Sequence, residues 1–189
     1  MPPPDLPRHS HWSPLIAANS VFSAAECDAV LALRREMKEG GIADSGGHKA
    51  YRSSRVCWLR PGPDTEWVFA RAWDCVQRVN AQCYKMDLAG FTEPLQISEY
   101  AAGQYYDWHL DLGNDGFSIR KLSFVVQLSD PTDYEGGGLE TLHSREPSAA
   151  PRARGTMVIF PSYILHRVAA VTRGARRSLV GWIGGPHYR

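Results

Sequence analysis

The chain has 189 residues, and its 21 lysines and arginines nearly balance its 20 aspartates and glutamates, giving a net charge of +1. This length fits one domain with a full hydrophobic core, and so balanced a charge creates no overall field that would attract nucleic acid or a membrane surface. No apolar run approaches the length of a membrane span, and the opening MPPPDLPRHSHW lacks the apolar centre of a signal peptide. We therefore expect neither nucleic acid nor membrane as a partner, and the oligomeric state stays open.

Four cysteines are present, at positions 27, 57, 75 and 83, and no two of them form a Cys-x-x-Cys pair. If Cys75 and Cys83 share a helix, they lie about 12 Å apart along its axis, too far for a disulfide. Reduced core cysteines are typical of cytoplasmic proteins. The sequence therefore predicts a cytoplasmic location.

The first half of the chain predicts an extended leader followed by helices. Five prolines in residues 1–14 indicate an extended surface run, and we place the end of this leader at residue 22. Ser23 and Glu26 form a capping box for a first helix, which Gly40-Gly41 would end. After a strand at Arg55–Leu59, a second helix is expected from a cap at Asp64 to about Tyr84, burying Trp67, Trp73, Val76 and Val79. Residues 23–90 are thus expected to be helical support.

From residue 93 onward the chain reads as short strands separated by glycine-rich turns. Seven such strands predict a mainly β protein, a double-sheet jelly roll (double-stranded β-helix) with N-terminal supporting helices. We expect one domain over residues 1–189, with the jelly-roll core at 91–186. The predicted strands are Leu95–Tyr100, Tyr105–Asp111, Lys121–Leu128, Leu139–His143, Thr156–Phe160, Arg167–Val171 and Arg177–Ile183.

Three residues of this half form a candidate metal site. His109 and Asp111 are two apart on a predicted strand, so both side chains project from the same face. His166 follows a strand-like run, GTMVIF, 57 residues after His109. Two histidines and one carboxylate on one side of a metal are typical of non-haem Fe(II) oxygenases. His-x-Asp alone is more typical of a buried histidine oriented by a carboxylate, so the interpretation depends on the combined spacing.

A candidate carboxylate clamp lies ten residues after His166. Arg176 and Ser178 share a strand face, and a guanidinium beside a hydroxyl suits a carboxylate ligand. Arg173 and Arg177 are rivals, but neither shares a face with Ser178. Elsewhere, Glu140 and His143 lie near a strand at a spacing that puts them on opposite faces, so we interpret both as surface or rim residues.

Four stretches together resemble the Fe(II)- and 2-oxoglutarate-dependent dioxygenases, in particular their prolyl 4-hydroxylase-like branch. They are YAAGQYYDWHLD, RKLSFVVQLSDPTDYEGGGLE, GTMVIFPSYILHRV and VTRGARRSLVGW. The resemblance implies that His109, Asp111 and His166 bind iron and that Arg176, assisted by Ser178, binds the distal carboxylate of 2-oxoglutarate. It also implies a co-substrate contact for Tyr100 and, where some members place a tyrosine, for Gln127.

The same resemblance implies Fe(II), 2-oxoglutarate and O2 as cofactors, with ascorbate as an optional addition, and hydroxylation of a peptidyl residue with release of succinate and CO2. Two alternatives stay open: the same chemistry on a free amino acid or small natural product, and a non-enzymatic, cupin-like metal-binding protein. The substrate is therefore a peptide or a small molecule. Gly40–Ala50 is a candidate lid over it, with Tyr51, Arg52 and Trp108 as candidate substrate contacts.

Overall fold

The structure, a computed structural model, describes residues 13–40 and 51–188. Two α-helices, α1 and α2, and fourteen short strands, β1 to β14, are present in these residues. The helices are α1 (Ala24–Ala32) and α2 (Glu66–Val79). The strands, in order, are Ile16–Ala18, Lys38–Glu39, Arg52–Ser53, Arg55–Leu59, Gly90–Phe91, Leu95–Ala101, Tyr105–His109, Arg120–Gln127, Tyr134–Gly136, Leu139–Leu142, Ser148–Ala149, Met157–Pro161, Leu165–Val168 and Val171–Gly184.

The strands of the described residues form two sheets, which confirms the predicted mainly β, jelly-roll class. The larger sheet runs in the order β1-β12-β8-β14-β6-β4-β2, with β5 and β9 also paired to β14. The smaller sheet runs β11-β10-β13-β7-β3. Neighbouring strands at the centres of both sheets are antiparallel. This arrangement brings β7 and β13 of one sheet face to face with β6, β8 and β14 of the other.

The main hydrophobic core lies on the outer side of the larger sheet, where the helices cover it. Side chains alternate along β6, so that Leu95 and Ile97 are fully buried in this core. Val68, Ala72 and Val76 of α2 are buried in the same cluster. Because the helices take up one face of the sheet, the opposite face is free to line the space between the two sheets.

The N-terminal predictions need correction. Ser23 and Glu26 form the predicted capping box, but α1 ends at Ala32, with Leu33 as its C-cap, and not at Gly40-Gly41. The residues in between cannot stay helical because Lys38 and Glu39 pair with β4. The sheet contacts thus outweigh the local helical pattern.

The leader and support boundaries were also drawn too simply. Within the predicted leader, Ile16–Ala18 is a strand paired with β12, and Phe22 is buried. Within the predicted helical support, β2 and β4 belong to the larger sheet. The α-helix after Thr65, not Asp64, ends at Val79, and a π-helical turn continues to Tyr84. Trp67 and Trp73 are only partly buried against the core.

The predicted strands of the second half lie near their observed places, with the largest boundary errors in the last two. Residues Leu165–Val168 form β13, so the predicted strand at Arg167–Val171 began too late. Val171 opens β14, which runs unbroken to Gly184. No helix of the described residues is long and apolar enough to cross a membrane.

Candidate functional site

His109 and His166 come together because their strands pair directly. In the antiparallel pair of β7 and β13, His109 lies opposite His166. Directly opposed residues of an antiparallel pair project from the same face, and the two ring centroids are 4.0 Å apart. Both imidazoles are buried, with exposed fractions of 8% and 5%. The register of two neighbouring strands thus brings the two histidines together across 57 residues of chain.

Asp111 lies beside the two histidines because the chain bends after His109. The predicted strand from Tyr105 to Asp111 is two residues too long, since β7 ends at His109. The Asp111 N–H donates to the carbonyl of Ser162 (3.1 Å), and Arg120 Nη1 donates to the Asp111 carbonyl (3.1 Å). These two bonds turn the Asp111 carboxylate towards the histidines, 3.9 Å from His109 Nε2 and 3.5 Å from His166 Nε2.

In each histidine, Nε2 is the ring nitrogen that faces the Asp111 carboxylate. Nδ1 of His109 lies 2.7 Å from the carbonyl of Asp107, and Nδ1 of His166 lies 2.9 Å from the carbonyl of Ile164. Because a carbonyl only accepts, each Nδ1 carries the proton and each Nε2 keeps its lone pair. The ligand atoms of His109, Asp111 and His166 all lie within 4.8 Å of one another.

The charge states of His109 and Asp111 suit a cation. Burial, followed by the neighbouring His166, lowers the pKa of His109 to about 3, so its imidazole is neutral at pH 7. Burial opposes ionisation of Asp111, but the two imidazoles, Ser123 and Arg120 hold the pKa of its carboxyl below the ordinary value. Neutral imidazoles and an ionised carboxylate are the forms in which these residues bind metals. Within the described ranges, no other group of three such residues was found.

Arg176 and Ser178 occupy the wall that faces the histidines. Both are 1% exposed and lie on β14, and Arg176 Nη1 donates to Ser178 Oγ (3.4 Å). Nη2 donates to Gln127 Oε1 (3.0 Å), and the guanidinium carbon is 5.9 Å from the centroid of the Tyr100 ring. The rivals point elsewhere, because Arg173 pairs with Glu135 (2.9 Å) and Arg177 pairs with Glu99 (2.7 Å).

The surroundings of Arg176 are those of an anion-binding site. Burial lowers the pKa of Arg176, which means that removal from water disfavours its charge. No carboxylate of residues 13–40 or 51–188 pairs with it, and its buried Nε has no hydrogen-bond partner. A buried guanidinium without an anion is costly. A ligand carboxylate fits this position, so the residues present suit 2-oxoglutarate as well as a metal.

One cavity of about 520 Å³ joins the His-Asp-His group to Arg176 and Ser178. His109, Asp111 and His166 line it together with Arg176, Ser178 and Tyr100. Gln127 does not line the cavity, and it acts on the site only by accepting a hydrogen bond from Arg176. Val125, Leu139 and Val168 supply apolar wall between the charged groups.

Of the three predicted substrate residues, only Arg52 lines the cavity. Tyr51 lies beside it, with its hydroxyl bonded to the carbonyl of Trp108. Trp108 alternates with His109 along β7, and its ring packs 4.6 Å from the guanidinium carbon of Arg167 on the other side of the sheet. The predicted lid at Gly40–Ala50 lies outside the described residues, except for Gly40.

Several cavity residues escaped the sequence analysis. The Arg120 guanidinium pairs with Glu93 (2.7 Å) and lies between the rings of Phe117 and Trp182, 4.3 and 4.2 Å from their centroids. Trp58 packs on Trp182, with ring centroids 6.1 Å apart. Trp182 could have been found, because the alternation that pairs Arg176 with Ser178 continues to it. The others depend on strand pairing and loop positions that no local pattern indicates.

Residues 95–184 match the sequence profile of the 2OG-Fe(II) oxygenase superfamily. Curated relatives include a PKHD-type hydroxylase of Parvibaculum lavamentivorans, 42% identical over 90 residues, which are 46% of this chain and 40% of that protein. A PKHD-type hydroxylase of Hyphomonas neptunium is 41% identical over 97 residues, 49% of this chain and 43% of that protein. The chain thus matches less than half the length of these relatives.

Solved structures share the fold at lower identity. A prolyl-4-hydroxylase of Pseudomonas putida superposes with a TM-score of 0.74 at 22% identity, covering 94% of both chains. A prolyl hydroxylase of Trichoplax adhaerens, in complex with a peptide fragment of hypoxia inducible factor, has a TM-score of 0.74 at 16% identity, covering 91% of this chain and 84% of that one. The likeness extends over the N-terminal half, which the family profile does not match.

Proposed function

We propose that the chain is an Fe(II)- and 2-oxoglutarate-dependent hydroxylase, because residues 95–184 match the sequence profile of the 2OG-Fe(II) oxygenase superfamily. It oxidises an unactivated C–H bond of a peptidyl residue and releases succinate and CO2. The observation that carries this proposal is the cavity in which a buried His-Asp-His group faces a buried arginine that pairs with no carboxylate of residues 13–40 or 51–188. A metal-binding protein without catalysis would have no use for the arginine.

In this proposal His109, Asp111 and His166 hold the iron through the two Nε2 atoms and the carboxylate. The carbonyls of Asp107 and Ile164 fix the tautomer and the orientation of the imidazoles. Three protein ligands leave the remaining positions of the metal open to 2-oxoglutarate and O2. When bound, the iron and 2-oxoglutarate together supply the oxidising power, which no side chain of the chain has.

Arg176 binds the distal carboxylate of 2-oxoglutarate, with Ser178 assisting. The guanidinium needs little reorganisation for this, because Gln127 and Ser178 already hold two of its nitrogens. Tyr100 covers the guanidinium with its ring and contacts the co-substrate. The apolar wall of Val125, Leu139 and Val168 keeps water from the space between arginine and metal.

A peptidyl substrate is supported by the peptide bound to the Trichoplax adhaerens prolyl hydroxylase. At the open end of the cavity, Trp58, Leu110 and Phe117 are 45%, 49% and 51% exposed, so a chain of residues could lie across them. We also propose a cytoplasmic location, since all four cysteines are free and three of them are buried.

The experiment that tests the function is a substrate screen. The purified protein is supplied with Fe(II), 2-oxoglutarate and ascorbate in air, with prolyl and other peptides in one arm and free amino acids in the other. Succinate formation coupled to a mass gain of one oxygen atom in a peptide is the expected result. Coupled oxidation in the amino-acid arm alone would move the substrate class to small molecules, and absence of succinate in every reaction would overturn the proposal.

A further inference from the structure

Another cationic side chain, Arg52, lines the cavity in addition to Arg120 and Arg176. Arg52 is half-buried on β3, at the edge of the smaller sheet. Its side chain crosses to the larger sheet, where Nη2 lies 2.8 Å from Gln96 Oε1 and 3.4 Å from Ser98 Oγ. Nε donates to Ser54 Oγ at 2.7 Å. Every hydrogen-bond acceptor that Arg52 contacts in the described part of the chain is therefore neutral.

This lack of a counter-ion distinguishes Arg52 from the other exposed or half-buried arginines near it. Arg55 and Arg177 share Glu99, and Arg120 pairs with Glu93 inside the cavity. Arg52 forms no ion pair with any carboxylate of residues 13–40 or 51–188. Removing a guanidinium from water without an anion costs free energy, which neutral hydrogen bonds repay only in part.

The net charge of the cavity lining also indicates that Arg52 lacks a counter-ion. Its lining contains three guanidinium groups, from Arg52, Arg120 and Arg176, against the two carboxylates of Glu93 and Asp111, a net charge of +1. Fe(II) would add two positive charges and 2-oxoglutarate two negative charges, so the loaded site keeps this surplus. Arg120 is already paired and Arg176 is assigned to 2-oxoglutarate. The unbalanced charge thus belongs to Arg52.

Arg52 is also close to the reacting position. Its guanidinium carbon lies 4.7 Å from the centroid of the Tyr106 ring, and that ring stacks on His109 with centroids 3.5 Å apart and planes at 12°. One aromatic ring therefore separates Arg52 from a proposed metal ligand. A group held by Arg52 would fix the position of a C–H bond beside the metal.

From these observations we propose that Arg52 binds a carboxylate of the substrate. This inference rests on the proposed function and narrows it to substrates with an anionic group near the oxidised carbon. The carboxylate comes from one of two sources, an acidic side chain next to the oxidised residue or a free C-terminal carboxyl group. The rival explanation is that Arg52 only ties β3 to β6 through Gln96 and Ser98.

Binding rather than turnover tests the proposal. The protein is loaded with Mn(II) and 2-oxoglutarate without O2, and three proline-containing peptides are titrated by calorimetry. The first is N-acetyl-Ala-Pro-Ala with a free C-terminal carboxyl group, and the second is its C-terminal amide. The third is an N-acetylated, amidated peptide with glutamate before the proline. The variants are Arg52→Gln, Arg52→Lys and, as a matched control on an exposed arginine three residues away, Arg55→Gln.

In the wild-type protein at least one acidic peptide should bind more tightly than the amide, and the preferred one identifies the source of the carboxylate. Arg52→Gln should lower the affinity of that acid by roughly 10- to 100-fold and leave the amide within about 2-fold. Arg52→Lys should keep part of the preference, and Arg55→Gln all of it. Affinity for 2-oxoglutarate, measured in the same way, should change less than affinity for the acidic peptide, because Arg176 and not Arg52 is assigned to the co-substrate.

Equal losses for acid and amide in Arg52→Gln would overturn the proposal, since a purely structural arginine affects both. Absence of any acid preference in the wild-type protein would overturn it as well. Neither result bears on the proposed function, which succinate release tests separately. Conversely, acid-selective binding without any succinate release would leave the carboxylate site standing and reject the hydroxylase.

Discussion

The two ends of the cavity are built differently. At the closed end, Arg176 is 1% exposed on the long strand β14, with Ser178 on the same strand and Gln127 on the neighbouring strand β8. At the open end, Trp58 is 45% exposed, and Phe117 lies in a short turn at 51% exposed. A rigid, fully buried end suits a ligand that never varies, and an exposed aromatic end suits one that differs among relatives. The predictions below use this difference.

The largest effect is expected at the metal group between the two ends. His166→Ala removes one of three proposed protein ligands, so Mn(II) affinity should fall by more than the roughly 10- to 100-fold that outer-shell partners are worth. Calorimetric titration of the metal checks this, and succinate release should disappear in parallel. His143→Ala is the matched control, since His143 is exposed and belongs to no such group. Normal metal affinity in His166→Ala would reject the assignment.

The second-largest effect is expected at the closed end of the cavity, in the binding of 2-oxoglutarate. Arg176→Lys keeps the charge but loses the planar fork, so 2-oxoglutarate binding should weaken by about 1–3 kcal/mol. The measurement is the dissociation constant of 2-oxoglutarate in the Mn(II) protein. Arg177→Lys is the control, because that side chain pairs with Glu99 outside the cavity. Equal effects of the two substitutions would remove the functional distinction between them.

A smaller effect is expected for the residue that links the open end to the metal. Arg120 pairs with Glu93 and donates to the carbonyl of Asp111. Arg120→Met should lower Mn(II) affinity by about 10-fold, the low end for an outer-shell partner, because the bond goes to the main chain and not to the carboxylate. Glu93→Gln leaves the hydrogen bond from Arg120 to Asp111 in place, so it should lower Mn(II) affinity by less. If metal affinity is unchanged in Arg120→Met, the open end is independent of the metal.

Sequence reasoning was most effective where function depends on strand alternation. The pairs His109 with Asp111 and Arg176 with Ser178 are two apart, and such local spacing can be seen without knowledge of the fold. The fold class follows from the same alternation. For His109 and Asp111, however, strand alternation is only part of the explanation. Asp111 lies beyond the end of β7, and hydrogen bonds to Ser162 and from Arg120 orient it towards the histidines.

Features that depend on pairing between distant strands could not be predicted. Trp58 enters the cavity because it lies opposite Gln96 in the pairing of β4 and β6, and nothing in the sequence RVCWL indicates that register. Lys38 and Glu39 follow a helical pattern, yet pairing with β4 makes them a strand. The neutral surroundings of Arg52 likewise require the crossing from one sheet to the other.

The smallest effect is expected at the open end itself. Trp58→Ala removes an exposed ring that packs on Trp182, with centroids 6.1 Å apart. Since an aromatic contact contributes about 0.5–1.5 kcal/mol, the affinity of the preferred peptide should fall by about 2- to 10-fold. Affinities for Mn(II) and 2-oxoglutarate should stay unchanged, because the ring touches neither group. Titrating all three ligands against Trp58→Ala and Trp58→Phe decides the matter: a loss of 2-oxoglutarate binding in both would mean that the two ends are not separate.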